Sequence, residues 1–299
     1  MPLKSIFAIL IIAVQAINTP ARAVNDPKNA AFCKNMASHL PGVSQNLCLQ
    51  ANLVDTGARS VKGVPLLKRD VITLGDDPAS PAKIKVMVVG GIHGDELSSS
   101  ALALNWIKLA TQSSTNQAPN NAISNTPASF VGGIHWRFIP MLNPDGLTAQ
   151  PAKRVNAHGV DLNRNFPTPN WARDAKVYWE QKTKKDPRRW PGPEPLSEPE
   201  SKFLHDEMAS FKPNLIVSIH APYGVLDFDG PTVPPSKLGR LYLDQVGIFP
   251  GSLGNYGGVH KGMPVVTIEL PNAQRTPLDS ETRQMWVDLL RWMGEKVRP

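Results

Sequence analysis

The chain has 299 residues, the length of one large domain or two small ones. Hydrophobic residues make up 41% and charged residues 19%, with seven Trp and nine Phe, so a packed core is expected and disorder along most of the chain is excluded. The formal charge of +7 is a mild excess that permits a polyanionic partner without requiring one.

The first residues read as an address. Lys4 precedes an apolar run over residues 6–16, too short to span a bilayer, and Ala21-Arg22-Ala23 has the small-x-small form of a cleavage site. A signal peptide over residues 1–23 is therefore expected, cleaved after Ala23. The product would be secreted or periplasmic, starting at Val24 with no stable membrane insertion; an N-terminal anchor is the competing reading. Cys33 and Cys48, the two cysteines of the chain, are expected to form one disulfide in an oxidising compartment, with two buried free thiols as the competing reading. Two thiols alone cannot complete a four-ligand zinc site.

Farther on, strands alternate with helices. Residues 83–90 are a short, mostly apolar, β-branched run, the mark of a buried strand. A helix follows over about 95–110, then a polar loop over 111–127 rich in Asn, Ser and Thr. A strand over 134–142 leads into a long loop-rich section, as the 29 prolines of the chain suggest. Its one dense basic run, Lys182, Lys184, Lys185, Arg188 and Arg189, reads as a solvated surface segment and not a nucleic-acid site. Ser197 and Glu200 have capping-box spacing before a helix containing Phe203, Leu204, Met208 and Phe211. Apolar strands recur at 215–220 and 264–270, and Met285, Trp286, Leu289, Leu290 and Met293 share one face of a C-terminal helix. This alternation implies an α/β layered sheet with ligands at the carboxyl ends of its strands.

Polar residues stand at those ends. The first buried strand runs into His93-Gly94-Asp95-Glu96, the strand at 215–220 ends in His220, and the strand at 264–270 delivers Glu269. His93 and Glu96 are three residues apart, so on a turn entering a helix both can face one atom. Two imidazoles and a carboxylate form a catalytic zinc set with one position open for water. A lone loop histidine or strand-end histidine is more often structural; the combination favours the metal.

The series His93-Gly94-Asp95-Glu96, Asn143-Pro144-Asp145-Gly146, Asp161-Leu162-Asn163-Arg164-Asn165-Phe166, Ser218-Ile219-His220 and Ile268-Glu269-Leu270 resembles, in order and spacing, the zinc carboxypeptidase (M14) family. Within that family the segment Arg154-Val155-Asn156-Ala157-His158-Gly159-Val160 is similar to the bacterial branch acting on murein peptides. The resemblance implies a three-layer α/β/α sandwich around a mixed, mostly parallel twisted sheet. It implies a catalytic domain over 57–299, preceded by an N-terminal segment over 24–56. It also implies one zinc per chain held by His93, Glu96 and His220, with Glu269 as general acid/base. Asn163 and Arg164 would form a carboxylate clamp, and Arg154 would polarise the scissile carbonyl. Asp95 would orient a ligand histidine or cap the helix. Tyr256 would stand over the substrate, though its spacing to Glu269 is shorter than the family pattern.

The chemistry asks for the same residue types. Zinc lowers the pKa of water to about 7, a carboxylate moves the proton to the leaving nitrogen, and the planar fork of Arg164 suits both oxygens of a terminal carboxylate. Asp227 and Asp229 either attract a cationic side chain or serve a turn. His39, His135, His158, His205 and His260 lack ligand-like company. No nucleophile elbow, H-E-x-x-H motif or phosphate loop is present. The expected activity is hydrolysis of a peptide bond near a free carboxylate, by resemblance in diaminopimelate-containing cell-wall peptides. An aspartoacylase-like or succinylglutamate desuccinylase-like zinc deacylase is one alternative; a metal-free cell-wall peptide-binding module is another.

Overall fold

The apolar runs become the centre of one sheet. The computed structural model describes residues 27–73, 84–114 and 133–299; the expected signal peptide over 1–23 lies outside the described residues. Strands β1 (Val54–Arg59), β2 (Pro65–Thr73), β3 (Ile84–Val89), β4 (Ile134–Ile139), β5 (Leu215–His220) and β6 (Val225–Asp229) are followed by a two-stranded ribbon, β7 (Lys237–Leu238) and β8 (Leu241–Tyr242), and by β9 (Val265–Glu269). The main sheet has seven strands in the order β1-β2-β4-β3-β5-β9-β6. β3 pairs in parallel with β4 and β5, and β5 in parallel with β9, so these four strands bring their carboxyl ends to one edge. The β1–β2, β2–β4 and β6–β9 pairings are antiparallel.

Period-two alternation divides the core between the two faces. From β3, Val86 and Val88 pack with Trp106, Trp136 and Trp286, under helices α1 (Pro27–His39), α2 (Gln45–Gln50) and α3 (Leu97–Ser114). Met87 and Val89 point the other way, toward Leu204, Met208 and Phe211. The short helices α4 (Pro144–Leu147) and α5 (Trp171–Val177) lie in the loop-rich section. Helix α6 (Pro199–Phe211) covers the second face, and α7 (Asp279–Lys296) joins the first. This is the expected α/β/α sandwich. Each fully buried Leu, Ile, Phe or Met contributes about 1.5–3 kcal/mol relative to exposure.

Local details differ from the sequence expectation. Helix α3 runs on to Ser114 and takes in the start of the expected polar loop, whose residues 115–127 lie outside the described residues. The capping box at Ser197 and Glu200 does not form, because tertiary partners take both side chains. Ser197 Oγ meets Asn165 and Glu198, Glu200 accepts from the Val61 amide and from Asn156, and Glu198 is the N-cap. Cys33 and Cys48 form a disulfide that joins α1 to α2 within the first core cluster. No helix among the described residues is long and apolar enough to cross a membrane.

Candidate active site

The turn after β3 is shaped by glycine. Gly91 has φ +61°, and a Cβ there would lie 2.5 Å from Ser100 Oγ. Gly94 packs so tightly that a Cβ would come within 2.3 Å of the Leu147 amide nitrogen. The turn thus presses against α4 and the loop after it, and aims His93 and Glu96 at the end of β5. Asn143 fastens that loop, accepting from the Gly146 amide at 2.9 Å and donating to the Arg154 carbonyl at 3.1 Å.

Three buried side chains converge there. Glu96 Oε1 is 2.8 Å from His93 Nδ1, Glu96 Oε2 is 3.0 Å from His220 Nδ1, and the two Nδ1 atoms are 3.2 Å apart. Asp161 Oδ1 accepts from His93 Nε2 at 3.1 Å. An ionised carboxylate can only accept, so Asp161 holds a proton on Nε2, and Nδ1, which faces His220 and Glu96, is the nitrogen that can ligate once a metal takes the place of its proton. Burial pulls the His93 pKa down and Arg154 adds to that, yet Glu96 and Asp161 outweigh both and raise it. Burial raises Glu96, but His93 and His220 bring it well below the usual carboxylate range. The pocket therefore favours positive charge between two imidazole nitrogens and a carboxylate. That donor set fits zinc, with three protein ligands and an open side.

The remaining groups surround the open side. Glu269 is the register partner of His220 across β5 and β9. Its Oε2 is buried without a hydrogen-bond partner, and burial, assisted by Glu96, raises its pKa against the pull of His220 and His93. Arg154 is held at 3.1 Å by Asp161 Oδ2 and at 3.4 Å by Glu96. Arg164 is buried beside it, its guanidinium 4.5 Å from the centre of the Phe249 ring. One Arg164 nitrogen donates to the Asn163 carbonyl at 2.6 Å, while its Nε has no partner. Asn163 accepts from the Leu253 amide at 2.8 Å. All five expected polar groups, Glu269, Arg154, Asn163, Arg164 and the His/Glu/His set, line one cavity.

Alternation on β6 and β9 completes the cavity. Ile268, Leu226 and Phe228 enter the first core cluster, so Thr267, Glu269, Asp227 and Asp229 face the other way and line the cavity. Asp227 and Asp229 lie on a strand and not in a turn. Burial, then Asp227, pushes Asp229 up to about 6.

Two expectations are corrected. Tyr256 does not reach the cavity: it is 6% exposed, stacks on Phe166 at 6.0 Å and belongs to the second core cluster. Asp95 does not orient a histidine but accepts from Arg188 at 2.8 Å; Asp161 takes that task. Tyr223, Arg189 and Phe249 line the cavity without having been singled out as site residues in the sequence. The signal for Tyr223 was its position three residues past His220.

The fold and the donor set define a zinc hydrolase of the α/β/α type. The model of the family described as "Peptidase_M14: Zinc carboxypeptidase" matches residues 50–227, and the chain belongs to that family. It is a metallopeptidase-type hydrolase with zinc as its cofactor. It is similar to murein peptide amidase A of Vibrio campbellii, 29% identical over 224 residues that cover 71% of this chain and 77% of that protein. The Escherichia coli K12 protein of the same name is 27% identical over 71% of this chain and 82% of its own length. Among solved structures, murein-tripeptide amidase MpaA from Escherichia coli O157 shares the fold with a TM-score of 0.52 at 24% identity, covering 81% of this chain and 91% of that one.

Proposed function

We propose that this chain is an exported carboxypeptidase-type amidase. It would hydrolyse a peptide bond whose leaving residue carries a free carboxylate and a cationic side chain, with diaminopimelate-containing murein peptides as substrate. The observation that carries this reading is the pairing, in one cavity, of an unpartnered buried Arg164 donor with the Asp227 and Asp229 carboxylates. A residue that bears both charges satisfies both walls. The names of the murein amidase relatives support the same substrate class. Export is supported by the N-terminal pattern over 1–23 and by the Cys33–Cys48 disulfide, which suits an oxidising compartment.

His93, Glu96 and His220 would hold zinc, which supplies Lewis-acid polarisation and lowers the pKa of water. Arg164 and Asn163 bind the terminal carboxylate and fix the scissile bond beside Glu269. Asp227 and Asp229 orient the cationic side chain. Glu269 takes the proton of the attacking water on its open Oε2 and delivers it to the leaving nitrogen. Arg154, anchored by Asp161, stabilises negative charge growing on the scissile carbonyl oxygen. Mass spectrometry of muropeptides incubated with the zinc-loaded protein tests the reading. Release of a diaminopimelate-bearing product is expected. Hydrolysis confined to N-acyl amino acids would overturn it in favour of a deacylase.

A further inference from the structure

A second depression joins the reaction cavity along Glu96, Arg154, Arg189 and Tyr223, which line both. Asn163, Arg164, Asp227 and Asp229 line the reaction cavity but not this depression. A substrate whose leaving half fills the wall of Arg164 and Asp229 therefore extends its acyl half across Arg154 into the depression. The depression holds two arginines from the basic run that the sequence alone presents as solvated surface, together with Asp95 and Asp186, each beside one of them.

Their partners differ. Arg188 is engaged, donating to Asp95 Oδ2 at 2.8 Å. Arg189 keeps only a loose ion pair, Nε to Asp186 Oδ2 at 3.6 Å, and its guanidinium makes no side-chain hydrogen bond, so a substrate anion would compete with one exposed carboxylate. Its backbone is fixed. The Arg189 amide donates to the Asp186 carbonyl at 3.0 Å, and the next residue's carbonyl, that of Trp190, accepts from the Asp161 amide at 2.8 Å. Arg189 is thus tied through one peptide unit to the backbone of Asp161, whose carboxylate orients His93 and anchors Arg154. A loosely paired guanidinium that lines both cavities, on a hydrogen-bonded backbone, is placed to read an anion on a bound substrate.

We propose that Arg189 is a specificity-determining residue that recognises a carboxylate on the acyl side of the scissile bond, separate from the clamp at Asn163 and Arg164. This rests on the peptidase reading above. It also gives the cavity three charged readers: Arg164 for the leaving residue's terminal carboxylate, Asp227 with Asp229 for its cation, and Arg189 for an anion on the acyl half.

The test compares two peptides with one leaving residue, differing only in that the acyl-side residue bears a free carboxylate or its amide. The zinc-loaded native enzyme is expected to favour the acid about tenfold in kcat/KM, the scale of one partly exposed charge-assisted contact. Arg189→Ala should bring that ratio close to one, chiefly through KM, and Arg189→Lys should restore part of it. Arg164→Ala should lower both substrates alike and leave the ratio in place. A second peptide pair varies a second carboxylate on the leaving residue. If Arg189→Ala abolishes that preference and not the acyl-side one, the carboxylate belongs to the leaving half and the proposal is overturned. Equal losses on every peptide would also overturn it, as a structural role. Calorimetric binding of the acid and amide peptides to Glu269→Gln reads the subsite without turnover. If the native enzyme cleaves no peptide but this binding preference exists and vanishes with Arg189→Ala, the subsite stands and the reaction assignment falls. Absence of any binding preference overturns the subsite itself.

Discussion

Replacing Arg164 by alanine isolates substrate recognition from chemistry. The guanidinium is buried and spends one nitrogen on the Asn163 carbonyl at 2.6 Å, and its Nε has no partner. Burial lowers its pKa, with Asp161 as the principal opposing charge, so the fold itself gains little from keeping this cation. A substrate carboxylate that accepts two bonds from it gains two charge-assisted contacts. Losing them costs about 3 kcal/mol, or roughly 10²-fold in kcat/KM. The assay compares a free-acid peptide with the same peptide amidated at its carboxyl end. Native enzyme should discriminate strongly in favour of the acid, and Arg164→Ala should erase that preference while thermal midpoint and zinc content stay near native. Arg164→Lys should recover only part, since a point charge cannot make the planar fork. Equal losses on acid and amide, or a large fall in midpoint, would show that Arg164 holds the loop around Asn163 and Trp171 instead.

Further outcomes follow from neighbouring groups. His93→Ala and His220→Ala should each lose zinc by elemental analysis, and full occupancy in the double variant would place the metal elsewhere. Asp161→Ala removes the acceptor that fixes the His93 tautomer, so zinc affinity should fall about 10–100-fold in a chelator competition; unchanged affinity would refute the orienting role. Asp229, pushed up to about 6 by burial, is neutral below that pH and anionic above it. Preference for a lysine-like over a neutral isosteric leaving residue should therefore rise from about pH 5 to about pH 7.5 and flatten in Asp229→Asn. Removing the Cys33–Cys48 bridge, which closes a 15-residue separation, should cost about 3 kcal/mol of stability by denaturant titration and leave kcat near native, because the bridge sits under α1 and α2.

The parts of the site that the sequence revealed are those where one strand carries the message. In Leu215–His220 and Val265–Glu269 the apolar run ends on the functional residue, so burial and the topology rule together mark it. The same alternation put Asp227 and Asp229 on the cavity face, but β6 is only five residues long and follows a Pro-Tyr-Gly turn, so it read as a loop. Strands β1 and β2 were missed as well: β1 has a mostly exposed pattern containing Gly57, and β2 opens on Pro65. What the sequence could not reveal are contacts between distant segments. Asp161 meets His93 across 68 positions, while Asp95 stood closer in sequence and attracted the same role. Tyr256 precedes Glu269 as the family's tyrosine does, at a shorter spacing, yet packing against Phe166 and His205 draws its ring into the core, and no local pattern encodes that choice. The failed capping box at Ser197 has the same cause, a tertiary competitor in Asn165.

The central claim is that zinc chemistry at the His93, Glu96 and His220 set depends on Glu269 as the proton carrier. Glu269 ends β9 beside His220 with a buried, unpartnered oxygen, an arrangement that costs stability unless the carboxylate has a task. The most direct measurement is kcat of Glu269→Gln on a cleaved peptide, with zinc content and thermal midpoint taken on the same sample. The account predicts native zinc, a native or higher midpoint, and a fall in kcat of at least about 10²–10⁴-fold, because glutamine keeps the shape but cannot carry the proton. Near-native kcat with zinc bound would contradict it, and loss of zinc would make Glu269 a ligand instead of the acid/base.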